Sequence, residues 1–133
     1  MLNKNSLILF QGDSITDTGR TDSADPAASL GYGYPAKIAE TLANDYADLG
    51  VSVINRGISG NRTWDLLERW DKDCIDINPD YFSLLIGVND TWRRYDSGMI
   101  TTAEEYEANM RTLLDRVVKE TNAKIILLNI FLL

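Results

Sequence analysis

Four short apolar runs, at residues 6–11, 51–55, 81–86 and 124–130, alternate with stretches whose apolar residues recur at helical spacing. That alternation leaves few folds open. Strand–helix–strand units in series build a parallel sheet with right-handed crossovers and helices on its faces. The first run, Leu7-Ile8-Leu9-Phe10-Gln11, leads into Gly12-Asp13-Ser14, so a buried strand delivers a serine at its carboxyl end. Ligand sites of open α/β sheets form at that edge. Gly12 permits a tight turn or a close backbone approach there. Serines also cap turns, and that is the plain alternative reading of Ser14.

Between the strands, residues 12–33 read as a long polar loop. Pro35 suits a first helical turn, where its missing N–H costs nothing. Ile38, Leu42, Tyr46 and Leu49 follow at helical spacing, and Gly50 is placed to end that helix. After strand two comes the loop Arg56-Gly57-Ile58-Ser59-Gly60, then a helix with Trp64, Leu67 and Cys74 on one face. Strand three runs into Gly87-Val88-Asn89-Asp90, and a loop with Trp92, Arg93, Arg94 and Tyr95 follows. Thr102 and Glu105 have capping-box spacing. Tyr106, Met110, Leu113, Leu114, Val117 and Val118 continue from them as an apolar stripe, and Asn122 suits the helix end. Strand four is apolar on both faces, as a central parallel strand is.

The 133 residues suit one domain with a real core, and 44% hydrophobic with 25% charged residues is ordinary for a globular chain. A net charge of -7 argues against nucleic acid or an anionic membrane as partner, since both need a basic face. No apolar run has the length of a membrane span, and residues 7–10 are too short for a signal-peptide core. A single cysteine, Cys74, forbids an internal disulfide and fits a reducing, cytoplasmic setting; it reads as a core residue. Asp71, Asp73 and Asp76 lack calcium-loop spacing and read as a solvated face. Arg93 and Arg94 read as solvated or locally paired. Trp92 and Tyr95 read as local packing in preference to a surface for stacking on a sugar.

The loops after strands one, two and three share one sheet edge, which brings Ser14, Gly60 and Asn89 toward one another. A hydroxyl with N–H donors around it is what acyl transfer requires: the hydroxyl attacks a carbonyl and the donors hold the oxyanion. Gly12-Asp13-Ser14-Ile15-Thr16-Asp17, Gly60 within residues 55–61, and Gly87-Val88-Asn89-Asp90 resemble the first three sequence blocks of the SGNH (GDSL) hydrolase superfamily. The resemblance implies a flavodoxin-like three-layer α/β/α sandwich and an esterase that needs neither metal nor cofactor. It implies Ser14 as nucleophile, with the N–H groups of Ser14 and Gly60 and the Asn89 amide as oxyanion hole. Substrates would be small carboxylic esters, acetylated carbohydrate first and lysophospholipid second.

One departure from that family is decisive. Its members carry an Asp-x-x-His block after a fifth strand, and the histidine is the general base; these 133 residues contain no histidine. Without a base, a serine hydroxyl is a weak nucleophile. Asp13 is a poor substitute because neighbours on an extended chain point to opposite sides, and its expected task is accepting turn N–H groups. The expectation is therefore residues 1–133 of a single domain incomplete at its carboxyl end, lacking the fifth strand and last helix. Such a chain would self-associate through strand four or bind the missing carboxyl-terminal fragment.

Three other readings stand beside this one. Thr16-Asp17-Thr18-Gly19-Arg20-Thr21 matches the T-x-T-G-x-T phosphate loop of FMN-binding flavodoxins, although that cradle needs a helix to begin at once. Gly57-Ile58-Ser59-Gly60-Asn61 approaches the G-x-S-x-G elbow but ends in Asn, which makes Ser59 a poor nucleophile. A non-catalytic interaction domain would also account for the lost base.

Overall fold

The computed structural model describes residues 2–130. Strands β1 (Leu7–Gly12), β2 (Ser52–Asn55), β3 (Tyr81–Leu85) and β4 (Lys124–Leu127) form one parallel sheet in the order β2-β1-β3-β4. β1 is central, with Leu9 opposite both Ile54 and Phe82. Order and direction are those expected of a flavodoxin-like sheet.

Side-chain alternation along β1 divides the core in two. Leu9 faces one side with Phe82 and Leu84 of β3, where α4 (Thr63–Trp70) and α6 (Ala103–Glu120) cover the sheet. Ile8 and Phe10 face the other side, against Tyr34 and Leu42 of α3 (Tyr34–Asp45). Helices on both faces make the three-layer arrangement. On the first side Trp70 is 1% exposed, lies edge-on to Phe82 at 5.5 Å, and donates its indole N–H to Leu113 O at 3.2 Å. That bond joins α4 to α6 in the core. Cys74 is fully buried beside them, and burial pushes its thiol up to about 12, so it is an inert core residue as expected.

Local signals held where capping chemistry was explicit. Thr102 Oγ1 accepts from Glu105 N at 3.1 Å while the Glu105 carboxylate accepts from Thr102 N at 2.8 Å, which starts α6. Pro35 lies in the first turn of α3, and left-handed Gly50 closes the 3-10 turn Ala47–Leu49 that follows this helix. Several expectations are corrected. The 12–33 loop contains two short helices, α1 (Ser14–Asp17) and α2 (Pro26–Leu30), because Asp13 and Asp25 each cap an N-terminus through their side chains. Residues 88–96 form a helix, α5 (Val88–Asp96), where a loop was expected. α6 ends at Glu120 with Thr121 rather than Asn122 at its cap. Trp64, Tyr46 and Val118 are 40%, 51% and 66% exposed, so each apolar stripe is narrower than its sequence suggests. By contrast, β4 is an edge strand among the described residues, as expected of a sheet without its fifth strand, and Leu128 N still donates to Leu84 O at 2.9 Å just past its end. Residues 131–133 of the expected strand lie outside the described residues.

Candidate active site

Ser14 opens α1 and is exposed, while Asp13 before it and Thr16 after it are buried. The Asp13 carboxylate accepts Ile15 N at 3.0 Å, as expected, and so caps the turn that presents Ser14. Thr16 Oγ1 meets Tyr34 OH at 3.0 Å, which anchors α1 to α3. A one-turn helix fixed at both ends holds the serine at the carboxyl end of the central strand.

The Gly60 loop locks against this turn. Asp17 Oδ2 accepts from Ser59 N and Ser59 Oγ at 2.8 and 2.7 Å, and Ile58 N donates to Gly12 O at 3.1 Å. Backbones nearly touch along the seam. A Cβ on Gly57 would stand 2.4 Å from Asp17 N, and one on Gly12 would stand 2.3 Å from Leu85 O. Only glycine fits at either position. Gly60 itself has φ +85 and is partly exposed at the rim.

Asn89 lies in the first turn of α5, and its Nδ2 donates to Asn61 O at 3.0 Å. One amide proton is thereby spent on the Gly60 loop, and the second remains for a ligand. Asp90, 4% exposed, turns the other way: its carboxylate accepts Thr63 N at 3.0 and 3.2 Å and Thr63 Oγ1 at 2.6 Å. Thr63 is the first residue of α4, so Asp90 also complements that helix's N-terminus. Asn109 Nδ2 completes the cluster on Thr63 Oγ1 at 3.1 Å. The loop after β3 is thus bolted to the loop after β2.

Beneath both loops sits Arg69, which the sequence reading did not single out. Its guanidinium donates to Asn61 Oδ1 and Gln11 Oε1 at 2.8 and 2.9 Å, and to Arg56 O and Asp73 Oδ2, each at 2.9 Å. Gln11 is also spent, donating to Asp73 O at 3.1 Å. Asp73 is therefore 14% exposed and ion-paired, which corrects its reading as a solvated carboxylate. Asp71 remains at the surface, paired with Arg116. Arg69 and Asp73 stand one helical turn apart, but no local period links them to positions 11 and 61, so only the fold brings the four together.

Burial raises the carboxyl groups of both Asp13 and Asp90. For Asp13 the Ile15 hydrogen bond opposes the shift and the Asp90 charge adds to it. For Asp90 the Thr63 bonds oppose it. Asp13 Oδ2 is buried with no hydrogen-bond partner. The folded state therefore resists ionising Asp13, a cost absent at low pH that grows as pH rises through the ordinary carboxylate range. Asp13→Asn keeps the Ile15 cap and removes the charge. It should stabilise the chain by about 1 kcal/mol at neutral pH, and the gain should vanish toward about pH 3. Urea unfolding of both forms across this range checks it; a pH-independent difference contradicts it.

Other candidates resolve plainly. Trp92 and Tyr95 are 52% and 78% exposed and do not pack locally, against expectation. Arg93 is paired with Asp96 at 2.5 Å, as expected, and Arg94 is exposed. Ser59 Oγ is held by Asp17. In the flavodoxin-like segment, Thr16, Thr18 and Thr21 direct their hydroxyls to protein groups, and α3 begins only at Tyr34. A basin of about 520 Å³ is lined by Arg20, Arg56, Lys72 and Asp73, among others, and excludes Ser14, Gly60 and Asn89. Since the basin holds none of the three candidate residues, we place the site at the three loops instead. Among the described residues no cluster of three His, Cys, Asp or Glu is placed to hold a metal, and no helix is long and apolar enough to cross a membrane.

A three-layer α/β domain with serine, glycine and asparagine loops at the carboxyl edge of a parallel sheet has the architecture of the SGNH hydrolases. The chain belongs to the GDSL-like lipase/acylhydrolase family, whose model matches residues 10–133. It is 43% identical over 113 residues to an acetylxylan esterase of Geobacillus stearothermophilus, covering 80% of this chain and 52% of that protein. A crystal structure described as a GDSL-like lipase from Parabacteroides merdae superposes with a TM-score of 0.90 at 42% identity, over 96% of this chain and 60% of that one. A crystal structure of the Geobacillus acetylxylan esterase gives 0.86 at 40% identity, over 94% and 59%. The chain thus spans about half to three-fifths of the length of these relatives.

Proposed function

We propose that this chain is the nucleophile-bearing part of a cytoplasmic, single-domain SGNH esterase acting on a small carboxylic ester. Acetylated carbohydrate is the first substrate class, and the acetylxylan esterase relative supports it. The observation that carries the reading is the exposed Ser14 on a capped turn, locked to the Gly60 loop, which in turn accepts from the Asn89 amide. Ser14 Oγ attacks the ester carbonyl, and its proton passes to a base. The N–H groups of Ser14 and Gly60 and the free amide proton of Asn89 hold the oxyanion. Collapse expels the alcohol and leaves an acyl-serine, which water then hydrolyses to the acid.

The base is the missing part. No histidine occurs in the 133 residues, and Asp13 is committed to capping Ile15 from a buried position. Triad members act as a unit, and losing one leaves only ~10³–10⁴ over water from the oxyanion hole and binding. The chain alone should therefore hydrolyse p-nitrophenyl acetate little faster than its Ser14→Ala form. Robust turnover that disappears in Ser14→Ala would reveal another base within these residues and overturn this part of the reading. The directed threonine hydroxyls of residues 16–21 favour the esterase over an FMN site.

A further inference from the structure

We propose that Arg93 is a substrate-contacting residue: with Gly60 and Asn89 it forms a carboxylate-binding site that receives the acyl group and holds the acid product. The inference rests on the esterase reading above and extends it to a residue outside the three family blocks.

Register places Arg93 one helical turn beyond Asn89 on α5, so both side chains leave the same face. The contact is direct at the glycine: a Cβ built on Gly60 would stand 3.0 Å from Arg93 Nη2. The guanidinium therefore lies in the space that the absent side chain of Gly60 leaves open. Its orientation is fixed on the far side, where Nη1 donates to Asp96 Oδ2 at 2.5 Å. Nε and Nη2 make no hydrogen bond to the described residues. These two nitrogens form the side-on fork that matches both oxygens of a carboxylate. The side chain is 30% exposed, reachable by a small ligand yet partly shielded from water.

Neighbouring arginines show that this arrangement is particular. Arg62 spends Nε and Nη2 on Asp65, and Arg69 is committed to the network under the loops. Arg94, next in sequence, is exposed and points to a different basin, lined by Asp90, Thr102 and Tyr106. The chain carries a net charge of -7, so an anion approaching the edge meets an unfavourable overall field. A cation with an unoccupied fork beside the Gly60 rim offsets that field where acyl negative charge develops and where the acid product forms.

Sodium acetate tests this on the 133-residue chain, since binding needs no general base. In the nitrogen-15-labelled protein, acetate should shift the Ser14 and Gly60 amides and the Asn89 side-chain amide, and sodium chloride at equal ionic strength should not. Arg93→Ala should weaken acetate binding about tenfold, as expected for losing a charge-assisted fork, with partial recovery in Arg93→Lys. Arg94→Ala should bind as the parent does. Dispersed amide spectra confirm that each variant is folded, and Arg93→Gln replaces Arg93→Ala should that variant not fold. If Arg93→Ala keeps its affinity, or Arg94→Ala loses as much, the assignment of Arg93 is overturned while the oxyanion-hole reading stands. If acetate shifts none of the three groups in the parent chain, both fall.

Discussion

Asn89→Ala should lower kcat by ~10²–10³ in a version of the protein extended to carry the Asp-x-x-His block, with KM nearly unchanged. The reason is that the amide acts on charge present only once the carbonyl has been attacked. Structure sharpens the expectation. Asn89 spends one amide proton on Asn61 O, so its removal also deletes one bond between the loops after β2 and β3. Those loops keep a second tie through Asp90 and Thr63, which alanine at position 89 leaves intact. The melting temperature should therefore barely move. A large fall in melting temperature, with kcat declining in parallel, would show that Asn89 serves the loop rather than the reaction. Asp90→Ala is the informative contrast, because it leaves Thr63 N and Oγ1 without their acceptor and should act chiefly on stability.

The 133-residue polypeptide should not persist as a monomer. β4 pairs with β3 on one side only, so its outer row of N–H and C=O groups has no ladder partner among the described residues. Ile126, Leu127, Leu128 and Ile130 are 46%, 51%, 39% and 37% exposed along it. A shallow apolar cleft of about 320 Å³ between this edge and Tyr106 and Met110 of α6 adds to the uncovered surface. After Lys124, no charge or proline blunts the described edge, and flat apolar edges template pairing with another chain. Burial of such surface contributes about 25 cal/mol per Å². Light scattering coupled to size-exclusion chromatography should report a mass above 14.9 kDa at tens of micromolar protein. A monodisperse 14.9 kDa species contradicts this, and so does a mass that Ile126→Lys leaves unchanged.

What the sequence disclosed followed the range of its signals. Strands β1 to β3 were legible because continuous apolar runs between turn residues are local, and their order followed from the flavodoxin-like fold that the family resemblance implies. Ser14, Gly60 and Asn89 could be named as candidates because each lies in the loop that follows such a run. α5 was not: Trp92, Arg93, Arg94 and Tyr95 show no apolar period, and the helix is held through Asn89 and Asp90 to residues far away in sequence. Arg69 was missed and Asp73 misread because their partners at positions 11, 56 and 61 are assembled only by the fold. The exposure of β4 was legible only through the missing fifth strand, because its apolar residues alone look alike whether a strand is central or at an edge.

The glycine seam between Gly12, Gly57 and the turn bearing Ser14 also bears on how such a site diversifies. Along that seam there is no room for even a methyl group, so inherited change cannot reach Ser14 from within. Under the proposed esterase reading, new preferences for the acyl or alcohol part of a substrate have to arise where side chains still meet water. Such places are α5, which carries Asn89, and residues 97–100 after it. Libraries aimed at altered selectivity should be concentrated there. Randomising the seam would mostly yield chains that do not fold.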